Sequence, residues 1–410
     1  MKQHTDYDFI VYGATSFVGQ ILTRYLFERH GADPSVRWAL AGRSREKLEL
    51  LRTLLGPKAL ALPVLVCDAS DGDGLRELCG RTRAIVSTVG PYALYGEPLV
   101  KACAETGTDY CDLTGEVQWI HQMIQRHEAT ARASGARIVH CCGFDSLPSD
   151  LGVLFLQAQA QQRFGQYCST IRMGVRRLKG AVSGGTVASM MTFIEQAAKD
   201  PALRKLVGNP YVLCPAGENS GVRQPNVQFA TFDAAIGSWL APFVMAAVNT
   251  RVVHRSHALA GRPYGKDFIY DEAMMTGAGG AGRMRATLTS LVLGAFVVGA
   301  TIPVTRRLLE RFVVPKPGEG PSPDAQEKGS FDVRLFGRTG DGRTLQAKVT
   351  GDRDPGYGST GKMLGEAIAC LTFDIGADQP GGFWTPATLL GDKLMRRLTE
   401  HAGITFDVVQ

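Results

Sequence analysis

Seven residues near the start of the chain, Gly13-Ala14-Thr15-Ser16-Phe17-Val18-Gly19, have the types and spacing of a turn that holds a phosphate. Gly13 permits a tight turn after a strand, and the small residues 14–16 let backbone N–H groups approach a pyrophosphate. Gly19 lets the next helix pack close to the strand, and that helix's N-terminus, at Phe17 and Val18, favours an anion. The middle position, commonly a third glycine, is Ser16. Such a turn is a weak signal alone. It gains weight here because it follows the apolar run 8–12 and precedes Val18, Ile21, Leu22, Tyr25 and Leu26 at helical spacing. The chemistry it serves is hydride transfer from a bound dinucleotide.

The tip of the second strand reads Ala41-Gly42-Arg43-Ser44-Arg45 and lacks the carboxylate that holds the ribose 2′-hydroxyl of NAD. Arg43 offers a guanidinium fork to a 2′-phosphate and Ser44 adds a hydroxyl, so NADP(H) is the expected cofactor. Arg45 is the weaker candidate. Asp68 follows the third strand, where side chains approach the adenine or cap a helix. Ser87-Thr88-Val89-Gly90-Pro91 ends the fourth strand, where the sheet faces the nicotinamide half.

The elements that must position these residues alternate. Strands at 8–12, 36–41, 63–67, 83–89, 109–113 and 136–141 are separated by helices at 18–30, 45–55, 72–80, 96–106 and 117–133. That order implies a parallel sheet covered on both faces. Past about residue 150 the pattern changes. Segment 169–178 suits an antiparallel strand, 187–199 a helix, and 331–337 with 343–350 a hairpin around Gly340-Asp341-Gly342. Residues 204–227 are loop-rich, 315–330 read as a linker, and helices are expected at 360–372, behind a Ser359-Thr360 cap signal, and at 386–402. The fold class is α/β: an N-terminal Rossmann-type parallel sheet and a second α+β domain containing a mixed or antiparallel sheet. The expected boundaries are 1–145 for NADP binding, 146–352 for substrate and dimerisation, and 353–410 for helices returning to the first domain.

At 410 residues, two domains are the prior, and 44% hydrophobic with 20% charged residues is a globular composition. The net charge of +6 is scattered rather than clustered, which argues against nucleic-acid binding. The nine cysteines include no CxxC and no zinc-ligand spacing, so neither a metal nor a disulfide framework is expected. Reduced thiols and an N-terminus interrupted by Asp6 and Asp8 point to the cytoplasm.

With these residues in hand, the chain resembles the saccharopine dehydrogenase-like oxidoreductases, and within them the trans-acting enoyl reductases of mycobacterial lipid synthesis. The matching stretches are GATSFVG (13–19), AGR (41–43), STVGPYALYGEPLVKACAETGTDYCDLTGE (87–116) and CCGFDSLPSDLG (141–152). PKPGEGPS (315–322), GDRDPGYGSTGKML (351–364) and GGFWTPATLLGDKL (381–394) extend the likeness over nearly the whole chain. The resemblance implies NADPH-dependent reduction of an α,β-unsaturated acyl thioester, free or carrier-linked. It does not imply saccharopine chemistry, since no dense basic cluster stands ready for a dicarboxylic amino acid. Carbonyl or imine reduction, and a non-catalytic membrane-associated NADP-binding protein, are the alternatives.

Reduction of an enoyl thioester builds charge on the carbonyl oxygen and needs a proton at the α-carbon. Tyr92 is the first candidate donor, with Tyr95 and Glu97 close behind; Asp145 and Ser146 are further candidates at the carboxyl edge of the sheet. Asp112, Thr114 and Glu116 read better as loop-fixing hydrogen bonders. No tyrosine has a lysine four places on, which disfavours a Tyr-x-x-x-Lys mechanism, and Cys141-Cys142 suits an apolar strand position better than a nucleophile. Residues 286–305 carry no charge and lie between Arg283, Arg285 and Arg306, Arg307. The stretch is near bilayer-spanning length, yet rich in Ser and Thr. A buried helix or dimer contact is the first reading. An interfacial helix lining the acyl site with 234–250, at the inner face of the membrane, is the second, and a transmembrane helix is the third.

Overall fold

The computed structural model describes residues 5–31, 33–180, 184–217, 221–312 and 320–409. The chain divides into two compact units, Met1–Phe144 with Pro317–Gly320 and Gly356–Ala402, and Asp145–Lys316 with Pro321–Pro355 and Gly403–Gln410.

The first unit holds a seven-stranded parallel sheet of β1 (Tyr7–Tyr12), β2 (Trp38–Gly42), β3 (Val64–Val66), β4 (Thr82–Ser87), β5 (Asp109–Asp112), β6 (Arg137–Val139) and β13 (Gly382–Trp384). Their order is β3-β2-β1-β4-β5-β6-β13, the Rossmann order extended by one strand. Phe9–Val11, Ala39–Ala41 and Ala84–Val86 are fully buried, as unbroken apolar runs must be when both faces of a sheet are covered. The crossovers are α1 (Phe17–His30), α2 (Arg45–Leu54), α3 (Gly72–Gly80), the single turn α4 (Tyr92–Tyr95) with α5 (Glu97–Thr106), and α6 (Val117–Ser134). Strand β13 has no counterpart in the sequence reading. It is three residues long and starts at Gly382, whose φ of 135° leaves no periodic signal to read.

From the end of the chain, α14 (Thr360–Ala369) and α15 (Gly391–His401) join this unit. Helix α14 lies against α1 where Gly361 and Gly365 offer no side chain; a Cβ at either would come within 2.7 Å of Ile21 and 2.6 Å of Tyr25. Next to Gly365, the Glu366 carboxylate is buried and accepts from the Tyr25 hydroxyl at 2.6 Å, Arg29 at 3.2 Å and Arg397 at 3.3 Å. The expected C-terminal segment 353–410 is therefore only partly a returning one. Residues Ile404–Val409 form β14, which pairs antiparallel with a strand of the other unit's sheet, and the alternation Ile404, Phe406, Val408 is the period-two pattern behind it.

The second unit holds a mixed sheet of β7 (Cys168–Lys179), β8 (Thr231–Asp233), β9 (Ser238–Pro242), β10 (Ile269–Gly277), β11 (Ser330–Thr339), β12 (Thr344–Gly351) and β14, ordered β14-β12-β11-β7-β10-β9-β8. Only β7 and β10 pair in parallel among the described ladders of this sheet. Strands β11 and β12 alternate buried and more exposed positions, the mark of a sheet packed on one face. Helix α7 (Leu147–Phe164) covers that face, with Gly152 admitting Leu335 and Val349. The other helices are α8 (Gly184–Lys199), α9 (Pro201–Gly208), α10 (Ala246–Leu259), α11 (Gly279–Thr301), α12 (Pro303–Phe312) and α13 (Pro323–Glu327). Of the expected linker, residues 315–319 lie outside the described residues, and its end is α13 and the start of β11. Helix α11 is not the buried helix first expected: only 11% of its most apolar window is covered.

Removing the Glu366 carboxylate leaves Tyr25, Arg29 and Arg397 without their shared acceptor. Because both arginines are partly solvated, Glu366→Ala is expected to cost roughly 2–3 kcal/mol. Urea unfolding of the full chain measures this, and a loss below about 0.5 kcal/mol would be the surface-pair value instead.

Candidate active site

The turn after β1 is held by three backbone and three hydroxyl contacts. Gly13 N–H and Ala14 N–H donate to the Ala41 carbonyl at 2.9 and 3.2 Å, and Ser16 N–H donates to the Gly13 carbonyl at 2.9 Å. Ser16 caps α1 by accepting from Gly19 N–H at 2.9 Å and also bonds the Thr88 hydroxyl at 2.9 Å. Thr88 in turn reaches the Gly13 carbonyl at 2.9 Å. Gly13 has φ 83°, and a Cβ there would lie 2.6 Å from the Val89 side chain; one at Gly19 would lie 2.2 Å from the Gly13 carbonyl oxygen. Ser16 thus replaces a glycine with a hydroxyl that knots the turn to the end of β4. The first-turn amides of Phe17 and Val18 lie outside the intrahelical ladder and are left for an anion. The Phe17 ring meets Tyr357 edge-on at 4.8 Å, and Thr15 stands beside Gly42.

At the tip of β2, Arg43 is exposed, and Ser44 caps α2 by accepting from Lys47 N–H at 3.3 Å. Arg45 is spent on an i,i+4 pair with Glu49 at 3.7 Å. Asp68 does not cap a helix: it accepts from the Ser70 hydroxyl at 2.7 Å and the Ser70 N–H at 2.9 Å, while Asp71 caps α3. Those Ser70 bonds, with Arg43 adding a smaller attraction, hold the Asp68 carboxyl below its ordinary range.

Beyond β4 the Gly90–Pro91 peptide is cis, and Val89, Gly90 and Pro91 are at least partly accessible while Ser87 and Thr88 are buried. The surroundings of Tyr92 count against its use as a proton donor. Tyr92 is 6% exposed, its hydroxyl donates to the Ser87 carbonyl at 3.0 Å, and burial pushes that hydroxyl well above its ordinary range. Its proton is committed to the backbone. Tyr95, one turn on, is 48% exposed. Glu116 caps the short helix α4 by accepting from the amides of Tyr92 at 2.9 Å and Ala93 at 2.8 Å. Asp112, fully buried, accepts from the Tyr110 hydroxyl at 3.0 Å and the amides of Thr114 at 3.1 Å and Cys141 at 3.2 Å, and it pairs with His140 Nδ1 at 2.7 Å. Cys141 and Cys142 are buried, at 3% and 0% exposure.

Asp145 and Ser146 fall in the second unit. Asp145 is half-buried, whereas Ser146 is buried and donates to Asn249 Oδ1 at 2.9 Å. Asn249 donates to Glu272 at 2.9 Å, and Tyr270 donates to the other Glu272 oxygen at 2.7 Å. This chain fixes the Asn249 amide so that its oxygen faces Ser146, which leaves the serine oxygen free to accept rather than donate. Burial pushes the Glu272 carboxyl up to about 7, against the hydrogen bonds from Tyr270, Ser149 and Asn249.

The sequence profile of the saccharopine dehydrogenase NADP binding domain matches residues 9–139. A trans-acting enoyl reductase candidate of Mycobacterium tuberculosis is 38% identical over 418 residues, spanning 99% of this chain and 98% of its own length. The trans-acting enoyl reductase of Mycobacterium leprae is 38% identical over 412 residues, spanning 97% of each chain. This chain belongs to the trans-acting enoyl reductase branch of the saccharopine dehydrogenase-like oxidoreductases. In fold it matches saccharopine dehydrogenase from Saccharomyces cerevisiae with a TM-score of 0.54, at 12% identity and over 98% of this chain and 99% of that one. As an NADP-dependent oxidoreductase it takes NADP(H) as cofactor, and the residues fit that group: a cradle at Gly13 and Gly19 that any Cβ would fill, and an exposed arginine at the β2 tip.

For this reductase-family chain, Tyr357, Asn249 and Glu272 were missed by sequence reasoning. Tyr357 is 340 positions from the ring it meets, which no local pattern spans. Asn249 and Glu272 each sit beside another polar residue, Thr250 and Asp271, so neither stands out in the sequence as buried.

Arg43→Ala is expected to weaken NADPH binding about tenfold or more and leave NADH unchanged, read by fluorescence titration of both. For Glu272 the folded protein holds a proton more tightly than the unfolded chain, whose value is 4.5. Its ionisation therefore costs stability progressively as pH rises from about 4.5 to about 7. Glu272→Gln lifts that cost. The difference in Tm, variant minus parent, should rise between roughly pH 5 and pH 8 in scanning fluorimetry, and a pH-independent difference would refute it.

Proposed function

We propose that this protein is an NADPH-dependent enoyl reductase acting on an α,β-unsaturated acyl thioester, carrier-linked and of lipid or polyketide type. What carries the reading is an identity of 37–38% to trans-acting enoyl reductases over 96–99% of the chain. Bound NADPH supplies the hydride for the β-carbon. In this reading Gly13, Thr15, Ser16, Phe17, Val18 and Gly19 cradle the pyrophosphate, and Arg43 with Ser44 holds the 2′-phosphate. Asp68 borders the adenine side, and Ser87, Thr88, Val89, Gly90 and Pro91 border the nicotinamide side. As electrons move onto the thioester carbonyl, the substrate needs a hydrogen-bond donor there and a proton at the α-carbon.

Tyr95 takes the role first given to Tyr92, because its hydroxyl is open to solvent whereas that of Tyr92 is tied to Ser87. In the second unit, Ser146 gives its proton to Asn249 and keeps an oxygen free to accept, next to Asp145 in the chain. The setting proposed is the cytoplasm, at the inner face of the membrane, with a homodimer as the assembly; the exposure of α11 supports the membrane contact.

The test is NADPH oxidation against enoyl thioesters of increasing chain length, with saccharopine-pathway substrates alongside. Turnover of the enoyl series is the expected result, and turnover confined to amino-acid substrates would replace it with imine reduction. Tyr95→Phe should lower kcat by about a hundredfold or more with NADPH affinity unchanged. Tyr92→Phe should instead keep kcat and lose roughly 1–3 kcal/mol of stability.

A further inference from the structure

Helix α11 is 23 residues long; it packs on β9 and β10 and also meets α8 and α12, yet only Gly282, Ala286 and Ala300 are buried along it. Gly282 sits against Trp239, where a Cβ would lie 3.3 Å from the indole, and Thr276 bonds both the Trp239 and Gly282 carbonyls, at 3.0 and 2.9 Å. Away from that anchor the helix presents Met284, Leu288, Leu291, Val292, Val297 and Val298, each between 46% and 68% exposed. The apolar surface continues over the turn at Ile302 onto Val304 and Leu308 of α12. Surface of this extent on one soluble unit marks a docking site.

Charge decides what docks there. From Ala273 to Leu309 the chain holds no carboxylate and four arginines, Arg283, Arg285, Arg306 and Arg307. Arg306 pairs with Glu195 of α8, while Arg285 and Arg307, at opposite ends of the apolar stretch, are exposed. Aromatic rings gather at the α11 N-terminal end. Arg283 lies over Trp239 at 5.5 Å, Phe232 meets Trp239 at 5.5 Å, and Phe229 is 74% exposed. Arginines and amphipathic aromatics rimming an apolar helix are the composition of a membrane interface. A second copy of this chain would bring arginines against arginines, with no acid on this stretch to receive them.

The helix is long enough to cross a bilayer, at ~1.5 Å per residue. Its far end forbids that. Only Ile302 separates it from α12, the Thr305 hydroxyl of α12 bonds the Ile302 carbonyl at 3.1 Å, and the Arg306–Glu195 pair lies just beyond. Crossing would drag that ion pair through the hydrocarbon.

We propose that α11 and the start of α12 form an in-plane docking surface for a bilayer bearing anionic headgroups, with Arg285 and Arg307 on the headgroups and the Leu288–Val298 face among the acyl chains. This deepens the membrane setting proposed above and does not depend on the reaction. The test is co-sedimentation of the full chain with vesicles of phosphatidylcholine alone and of phosphatidylcholine mixed with phosphatidylglycerol. Binding is expected to the mixed vesicles, to fall with salt, to weaken about thirtyfold in Arg285→Gln/Arg307→Gln, and to vanish in Leu291→Glu/Val298→Glu. Both variants should keep NADPH oxidation with a soluble short-chain enoyl thioester. Loss of that turnover in the parent, with sedimentation intact, would sink the reductase reading and leave this one standing. No binding to either vesicle overturns the proposal. So does a dimer in light scattering that Leu291→Glu/Val298→Glu splits, or membrane attachment that survives alkaline carbonate extraction.

Discussion

The buried Asp112 carboxylate is the constraint around which the working edge of the first sheet is arranged. It sits at the end of β5 and accepts from Tyr110, from the amides of Thr114 and Cys141, and from His140 at the end of β6. A carboxylate with no exposure is tolerated only when its lone pairs are filled, and charged hydrogen bonds of ~1.5–3 kcal/mol each do that here. The chain accepts a left-handed backbone at Cys141, φ 65°, to deliver one of those amides. Glu116, four residues on, repeats the device for the amides of Tyr92 and Ala93. The two carboxylates therefore staple the loops after β4, β5 and β6 to one another.

A second closure comes from the far end of the chain. Gly361 and Gly365 let α14 approach α1, and Glu366 collects Tyr25, Arg29 and Arg397 at that contact. Tyr357, just before α14, then reaches the Phe17 ring in the phosphate turn. The dinucleotide helix is thus braced from behind by residues more than three hundred positions away, so the turn's geometry depends on the last segment folding.

The second unit solves a different problem. Its sheet has one covered face, so its strands alternate, and its interior holds a polar chain from Ser146 through Asn249 to Glu272 and Tyr270. Low dielectric strengthens each bond in that chain and raises the cost of ionising Glu272. The same unit leaves α11 largely uncovered, a departure from the burial its composition would suggest.

The parallel sheet of the first unit, the phosphate turn and the choice of NADP are legible in the residues alone, because they rest on local spacing: apolar runs alternating with helical periodicity, a glycine just after a strand, an arginine where an acid would sit. The β11–β12 hairpin was legible for the same reason. The rest came from packing. Tyr92 and Tyr95 are the two ends of the single turn α4, yet one is buried against the Ser87 carbonyl and the other is half exposed. The strand β13, too short to show a period, needed β6 beside it, and β14 was hidden behind helices. Residues 286–305 read first as a buried helix or dimer contact, yet the helix is mostly uncovered, since composition records how apolar a helix is and not what covers it; burial is a property of neighbours, and neighbours are set by the fold.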